Sequence, residues 1–233
     1  MKPIFRLTAL CSLAVALLFA LPTPSQAQDA KPTYPSMAPL DQYLMPDRDA
    51  EITLARSAAP DSISAGAEVL VLTRKGYEVA VQGKNGFVCI VERAWAAPKG
   101  DPNFWNPKIR GPLCLNAQAA RTYLPRTIKK TELILAGRTQ DQMFDALVAA
   151  IDGKQLPAIE SGAMCYMLSK QGYLSDTAGH WHPHLMFFFS GVPPAAWGAD
   201  LPGSPVLSFD NSVEHMTTFL VPVRRWSDGT PDS

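Results

Sequence analysis

The sequence predicts an α+β fold, with an N-terminal antiparallel β-meander, central helices and a C-terminal, mainly antiparallel sheet. Three observations carry this. Short β-branched and aromatic runs between residues 68 and 91 are separated by glycine-bearing turns. A capped, amphipathic helical pattern follows at 139–153. Further apolar runs of strand length lie between residues 163 and 223. With 47% hydrophobic residues the chain has material for a sizeable core, and 21 prolines favour many loops over long helices.

The chain begins with Lys2 and Arg6, an apolar run from Leu7 to Ala20, two prolines, and the small pair Ser25 and Ala27. That order is the one expected of a cleavable signal peptide over 1–27. The run is shorter than the roughly 20 residues needed to cross a bilayer, and no later segment reaches that length. The expectation is an exported protein, periplasmic or secreted, with no membrane span in the mature chain. Residues 28–48 read as an extended, proline-punctuated lead-in with at most a turn of helix near Asp41 to Leu44, 49–226 as a single globular domain, and 227–233 as a frayed tail.

Asp49 is a good N-cap for a short helix to Arg56. Strands are expected at Glu68 to Leu72, Tyr77 to Val81 and Phe87 to Val91, with Asn85-Gly86 as a hairpin signal. This meander resembles the bacterial SH3-like barrels of exported proteins over some 25 residues. The segment from Trp95 to Leu113 is irregular and carries Phe104 and Trp105, expected to pack in the core or to serve as a ligand-stacking platform with Trp181. Helical sequence runs from Asn116, interrupted by Pro125, to Gly153. Thr139 and Gln142 form a capping box, and Met143, Phe144, Leu147, Val148 and Ile151 make one apolar stripe. The last strands are expected around Ala163 to Leu168, His184 to Phe189, Pro205 to Phe209 and Thr218 to Val223.

Lysine plus arginine and aspartate plus glutamate each number 21. Such balance lacks the basic excess that holds a phosphate backbone, so nucleic acid is not an expected partner. With Cys11 inside the leader, Cys89, Cys114 and Cys165 remain. An oxidising compartment favours one disulfide and one odd thiol. Three pairings are open. Cys89–Cys114 is preferred because it closes a loop rich in proline, glycine and tryptophan.

All four histidines lie in the last 55 residues, three of them in Gly179-His180-Trp181-His182-Pro183-His184. In an extended chain His180, His182 and His184 share a face, as a zinc or copper site would need. Along an ideal strand the outer two are roughly 13 Å apart, too far for one ion unless the chain bends. Two neighbours joined by His215 or Asp176 are the more plausible set. The competing reading makes these histidines loop-positioning groups. Cys165 is a candidate nucleophile through a Cys–His pair, against an inert buried thiol. No H-E-x-x-H, C-x-x-C, P-loop, G-x-G-x-x-G or G-x-S-x-G motif occurs.

The segments Asn85 to Arg93, Ala163 to Ser169 and Gly179 to Phe188 resemble a group of uncharacterised exported bacterial proteins. The resemblance implies a bacterial envelope or secreted setting and carries over no activity. The expected function is binding or interaction, with an envelope or extracellular partner or a small ligand. The alternative is a zinc- or copper-dependent hydrolase using His180, His182, His184 and His215.

Overall fold

The computed structural model describes residues 34–176 and 181–232. The leader at 1–27 and His180 lie outside them. The lead-in makes one 3-10 turn at Leu40–Gln42 and enters helix α1 (Arg48–Arg56). The cap of α1 is Asp47, whose carboxylate accepts from the amide of Asp49, so the cap lies two residues before the expected Asp49. A four-residue helix α2 (Asp61–Ser64) follows.

Strands β1 (Glu68–Thr73) and β2 (Gly76–Val81) form an antiparallel hairpin. Strand β3 (Val88–Glu92) pairs with β1, on the side away from β2, and runs parallel to it. The first three strands are therefore not an antiparallel meander. The loop after β2 crosses the start of β1, where Lys84 N donates to Gly66 O and Glu68 N to Phe87 O. The crossing needs glycine: a Cβ on Gly83 would lie 2.5 Å from Glu68 N. Asn85-Gly86 belongs to this crossing and is no hairpin turn; the Asn85 side chain donates to Ile63 O and accepts from Phe87 N. Composition explains the order. Every residue of β3 is buried, as suits a central strand, whereas β2 exposes Glu78 and Val79 and takes the edge.

Strands β4 (Gly111–Leu115), β5 (Met164–Met167), β6 (His184–Phe189), β7 (Leu207–Asn211) and β8 (Met216–Pro222) complete one eight-stranded sheet in the order β2-β1-β3-β4-β5-β6-β8-β7. All pairings but β1–β3 are antiparallel, so the expected C-terminal strands join the same sheet as the N-terminal ones. Between β4 and β5 lie helices α3 (Ala117–Thr122), α4 (Leu124–Leu135) and α5 (Gln140–Asp152). Pro125 opens α4, in the first turn where a missing N–H is harmless. The capping box of Thr139 and Gln142 is present at the start of α5, and Gly153 follows its end.

The two-residue period of the strands divides the core. One face presents Val69, Cys89, Val91 and Cys114 to Leu54 and Ala55 of α1 and to Ala58 and Ala59 beyond it. The other presents Leu70, Ile90, Leu113, Leu115, Cys165, Met167 and Phe188, covered by Ala119 and Leu124. Each such aliphatic side chain contributes about 1.5–3 kcal/mol on full burial. A third cluster joins Tyr43, Trp95 and Phe104 to Met143, Phe144 and Leu147 of α5. Cys89 and Cys114 are directly opposite one another on β3 and β4, with Cα atoms 4.0 Å apart, and are disulfide-bonded.

The final residues, expected to fray, fold back. Ser227 N donates to Leu168 O, Asp232 N to Arg224 O, and Lys170 pairs with Asp228 at 2.8 Å. Among the described residues no helix is long and apolar enough to cross a membrane.

Candidate functional site

A cavity of about 250 Å³ opens on the α4 side of the sheet. Strand periodicity builds its wall. Glu92 lies two residues beyond Ile90 on β3 and therefore shares its face; its cross-strand neighbour is Gly111, which contributes no side chain. Met167 of β5 stands opposite His184 of β6, Met186 opposite Leu220, and Phe188 opposite Thr218 of β8. Phe209 and Asn211 of β7 extend the wall, and the segment from Ala94 to Ile109 closes it from above. The wall is mainly apolar; Arg93, Asp101 and Tyr123 also line it, and Glu92 and His184 are nearly withdrawn from solvent at 8% and 6% exposure.

Glu92 accepts two hydrogen bonds on a single oxygen: Tyr123 Oη donates to Oε1 at 3.1 Å and Thr127 Oγ1 at 2.9 Å. Among the described residues no cation is bonded to it. Lys130, the nearest ammonium on α4, is bonded to Glu214 at 2.5 Å and to Ala96 O at 3.3 Å. Arg93 is spent on Glu51 and Tyr43 O, and Arg126 on Glu214 O and Pro157 O. Burial raises the Glu92 carboxyl above the ordinary carboxylate range, against the lowering pull of the Thr127 and Tyr123 hydroxyls and of Lys130.

The imidazole of His184 donates from Nδ1 to the carbonyl of His182 at 2.8 Å, which leaves Nε2 as an acceptor in the neutral ring. Burial lowers its pKa from the usual histidine value, so the neutral ring is favoured. Trp181 packs edge-on against this ring, centroids 5.2 Å apart. A Cβ on Gly172 would run into the Trp181 indole, so that glycine makes room for it.

The residues singled out from sequence are dispersed. His182 is largely exposed and its Nδ1 meets Asp232 at 2.5 Å; His215, in a left-handed conformation (φ 51°) before β8, pairs with Asp152 at 3.0 Å. Of the described histidines, only His184 faces the cavity. Asp176 is held by Tyr34, Tyr173 and Lys108, which keep its carboxyl low, at about 2. Among the described residues no group of three or more His, Cys, Asp or Glu side chains is arranged to hold a metal ion. Cys165 is fully buried in the core, and desolvation pushes its thiol well up, away from the thiolate a nucleophile needs. Phe104 is 2% exposed and packs against Trp105 and Phe144, on the core side of its two expected roles. Trp105 is half-buried beside it.

Sequence reasoning missed Glu92. Its signal was the run Val88-Cys89-Ile90-Val91-Glu92: if the strand is buried on both faces, the carboxylate closing it cannot escape inward. No protein-family model, curated protein or solved structure matches this chain, so its cavity and the two groups facing it stand on their own geometry.

Proposed function

We propose that this chain is an exported binding protein for a small, mainly apolar molecule carrying one polar group, held in the cavity between the sheet and the 94–109 segment. The observation behind this reading is a mainly apolar cavity lined by two buried titratable side chains, Glu92 and His184, among a few other polar groups, the usual make-up of a ligand site. Export is supported by the leader-like first 27 residues, and a disulfide between adjacent strands suits an oxidising compartment.

The test is thermal unfolding with phenethyl alcohol and similar molecules of about ten heavy atoms. A ligand at a hundredfold excess over its Kd contributes about 2.7 kcal/mol, a Tm rise of several degrees for a chain of this size. The rise is expected in the wild type and absent in Ala97→Phe, which fills the cavity from its rim. If no molecule of this size shifts the wild-type Tm, the reading fails.

A second reading has its own support. A carboxyl whose pKa is raised and an imidazole whose pKa is lowered, facing one cavity, are suited to act as general acid and general base. Under it the bound molecule is turned over, and mass spectrometry of the recovered ligand distinguishes this from simple binding.

A further inference from the structure

Three polar atoms on residues lining the cavity have no hydrogen-bond partner among the described residues. Glu92 has its hydroxyl donors on Oε1, and Oε2 has no hydrogen bond among the described residues. His184 offers Nε2, its Nδ1 being engaged by a carbonyl. Asn211, also on the wall, has an Oδ1 buried without a hydrogen-bond partner among the described residues. Among the described residues the cations around Glu92, which are Lys130, Arg93 and Arg126, are already bonded elsewhere. A carboxylate 92% withdrawn from solvent and lacking a counter-ion is costly unless the missing partner is supplied.

Resting on the binding reading above, we propose that the cavity selects a small apolar amine, whose ammonium bonds Glu92 Oε2 and whose hydrocarbon lies against Met167, Met186 and Phe188. The ligand brings donors and one positive charge to a carboxyl with no cation bonded to it among the described residues.

The proton balance follows from the surroundings of Glu92. Tyr123, Thr127 and Lys130 face it from α4 and the turn before it, Glu214 from the turn before β8, Cys165 from β5, Tyr77 from β2 and His184 from β6. Desolvation outweighs the single ammonium of Lys130, so empty Glu92 holds its proton above the ordinary carboxylate range. An arriving ammonium favours the ionised form, and the carboxyl proton leaves to the buffer while the amine keeps its own.

The experiment is calorimetric titration of the folded protein with phenethylamine and with phenethyl alcohol, which differ only in the polar group. The amine is expected to bind about tenfold to a hundredfold more tightly, the worth of a charge-assisted hydrogen bond. Glu92→Gln is expected to erase that preference, the variant binding the amine no more tightly than the alcohol. Should Glu92→Gln not fold, titration of the wild type in two buffers of different ionisation enthalpy reads the same event. Amine binding releases a proton at pH values where Glu92 is neutral, and alcohol binding releases none. Equal affinities, or a preference for the alcohol, overturn the amine proposal and leave the binding reading intact. Failure of both molecules to bind removes the binding reading and this proposal with it.

Discussion

On one face of the sheet, α1 settles onto Val69, Cys89, Val91 and Cys114 through Leu54, Ala55, Ala58 and Ala59. On the other, the adjacent residues of the same strands meet α3 and α4 through large side chains. There Tyr123 stacks on Phe188, centroids 4.1 Å apart, and beyond that stack the cover passes from helix to loop. The contrast between neighbours is sharp: Val91 is sealed beneath α1, while Glu92 lines a cavity. Alanines let backbone approach backbone and leave no space, so that face is a structural seal. Bulky rings hold the opposite cover at a distance, and the residual space collects the groups with unused bonding capacity.

The largest expected effect lies on the sealed face. Replacing both Cys89 and Cys114 with alanine opens a loop of sequence separation 25 and should cost about 3.5 kcal/mol by the chain-entropy relation, measured as a lower urea midpoint. Binding at the cavity should change little. If binding were lost with the disulfide, the two faces would not be independent.

A matched pair of substitutions sharpens the comparison next. Ala55→Leu forces three carbons into a fully buried position, with Cys114 Sγ 3.7 Å from the Ala55 carbonyl, and should cost about 1–3 kcal/mol. Ala97→Leu adds the same atoms at the cavity rim and should stay within about 0.5 kcal/mol. Equal costs, read from parallel urea curves, would break the distinction between sealed and open faces.

The smallest effect is a pH dependence confined to the open face. The folded His184 pKa is lowered, so its contribution is present above the ordinary histidine value, about 6.5, and lost as pH falls towards the lowered one. Glu92 has the opposite sense. Its pKa is raised, so its contribution is present at acid pH and lost as pH rises from the ordinary carboxylate range, about 4.3, through the raised value. His184→Asn keeps the bond to His182 O without titrating and should flatten the first limb; Glu92→Gln should flatten the second. Unfolding free energies measured across pH 4–8 read both. An unchanged profile in either variant would mean that group is not desolvated as described.

Local signals in the sequence were reliable where one residue decides a local bond. The Thr139–Gln142 box caps α5, the strand at His184 to Phe189 begins and ends as read, and Cys89 pairs with Cys114. They misled where a choice depends on distant partners. Asn85-Gly86 suits a hairpin, yet the parallel slot beside β1 was open to a strand apolar on both faces, and Gly83 permits the crossing. The histidine cluster suggested a shared face. Pro183 lies between His182 and the first residue of β6, and of these two described histidines His184 turns inward while His182 meets Asp232 of the folded-back tail.

By itself the sequence determined the capped helix α5, the strand at His184 to Phe189 and the balance of charge, because these follow from composition and from bonds and periodicities within a few residues. Tertiary structure alone decided the strand order, the sealing of one face and the opening of the other. It also decided which carboxylate and which imidazole share a cavity, because desolvation and pairing are set by side chains far apart in the chain: Tyr123 and Thr127 reach Glu92 across 31 and 35 positions.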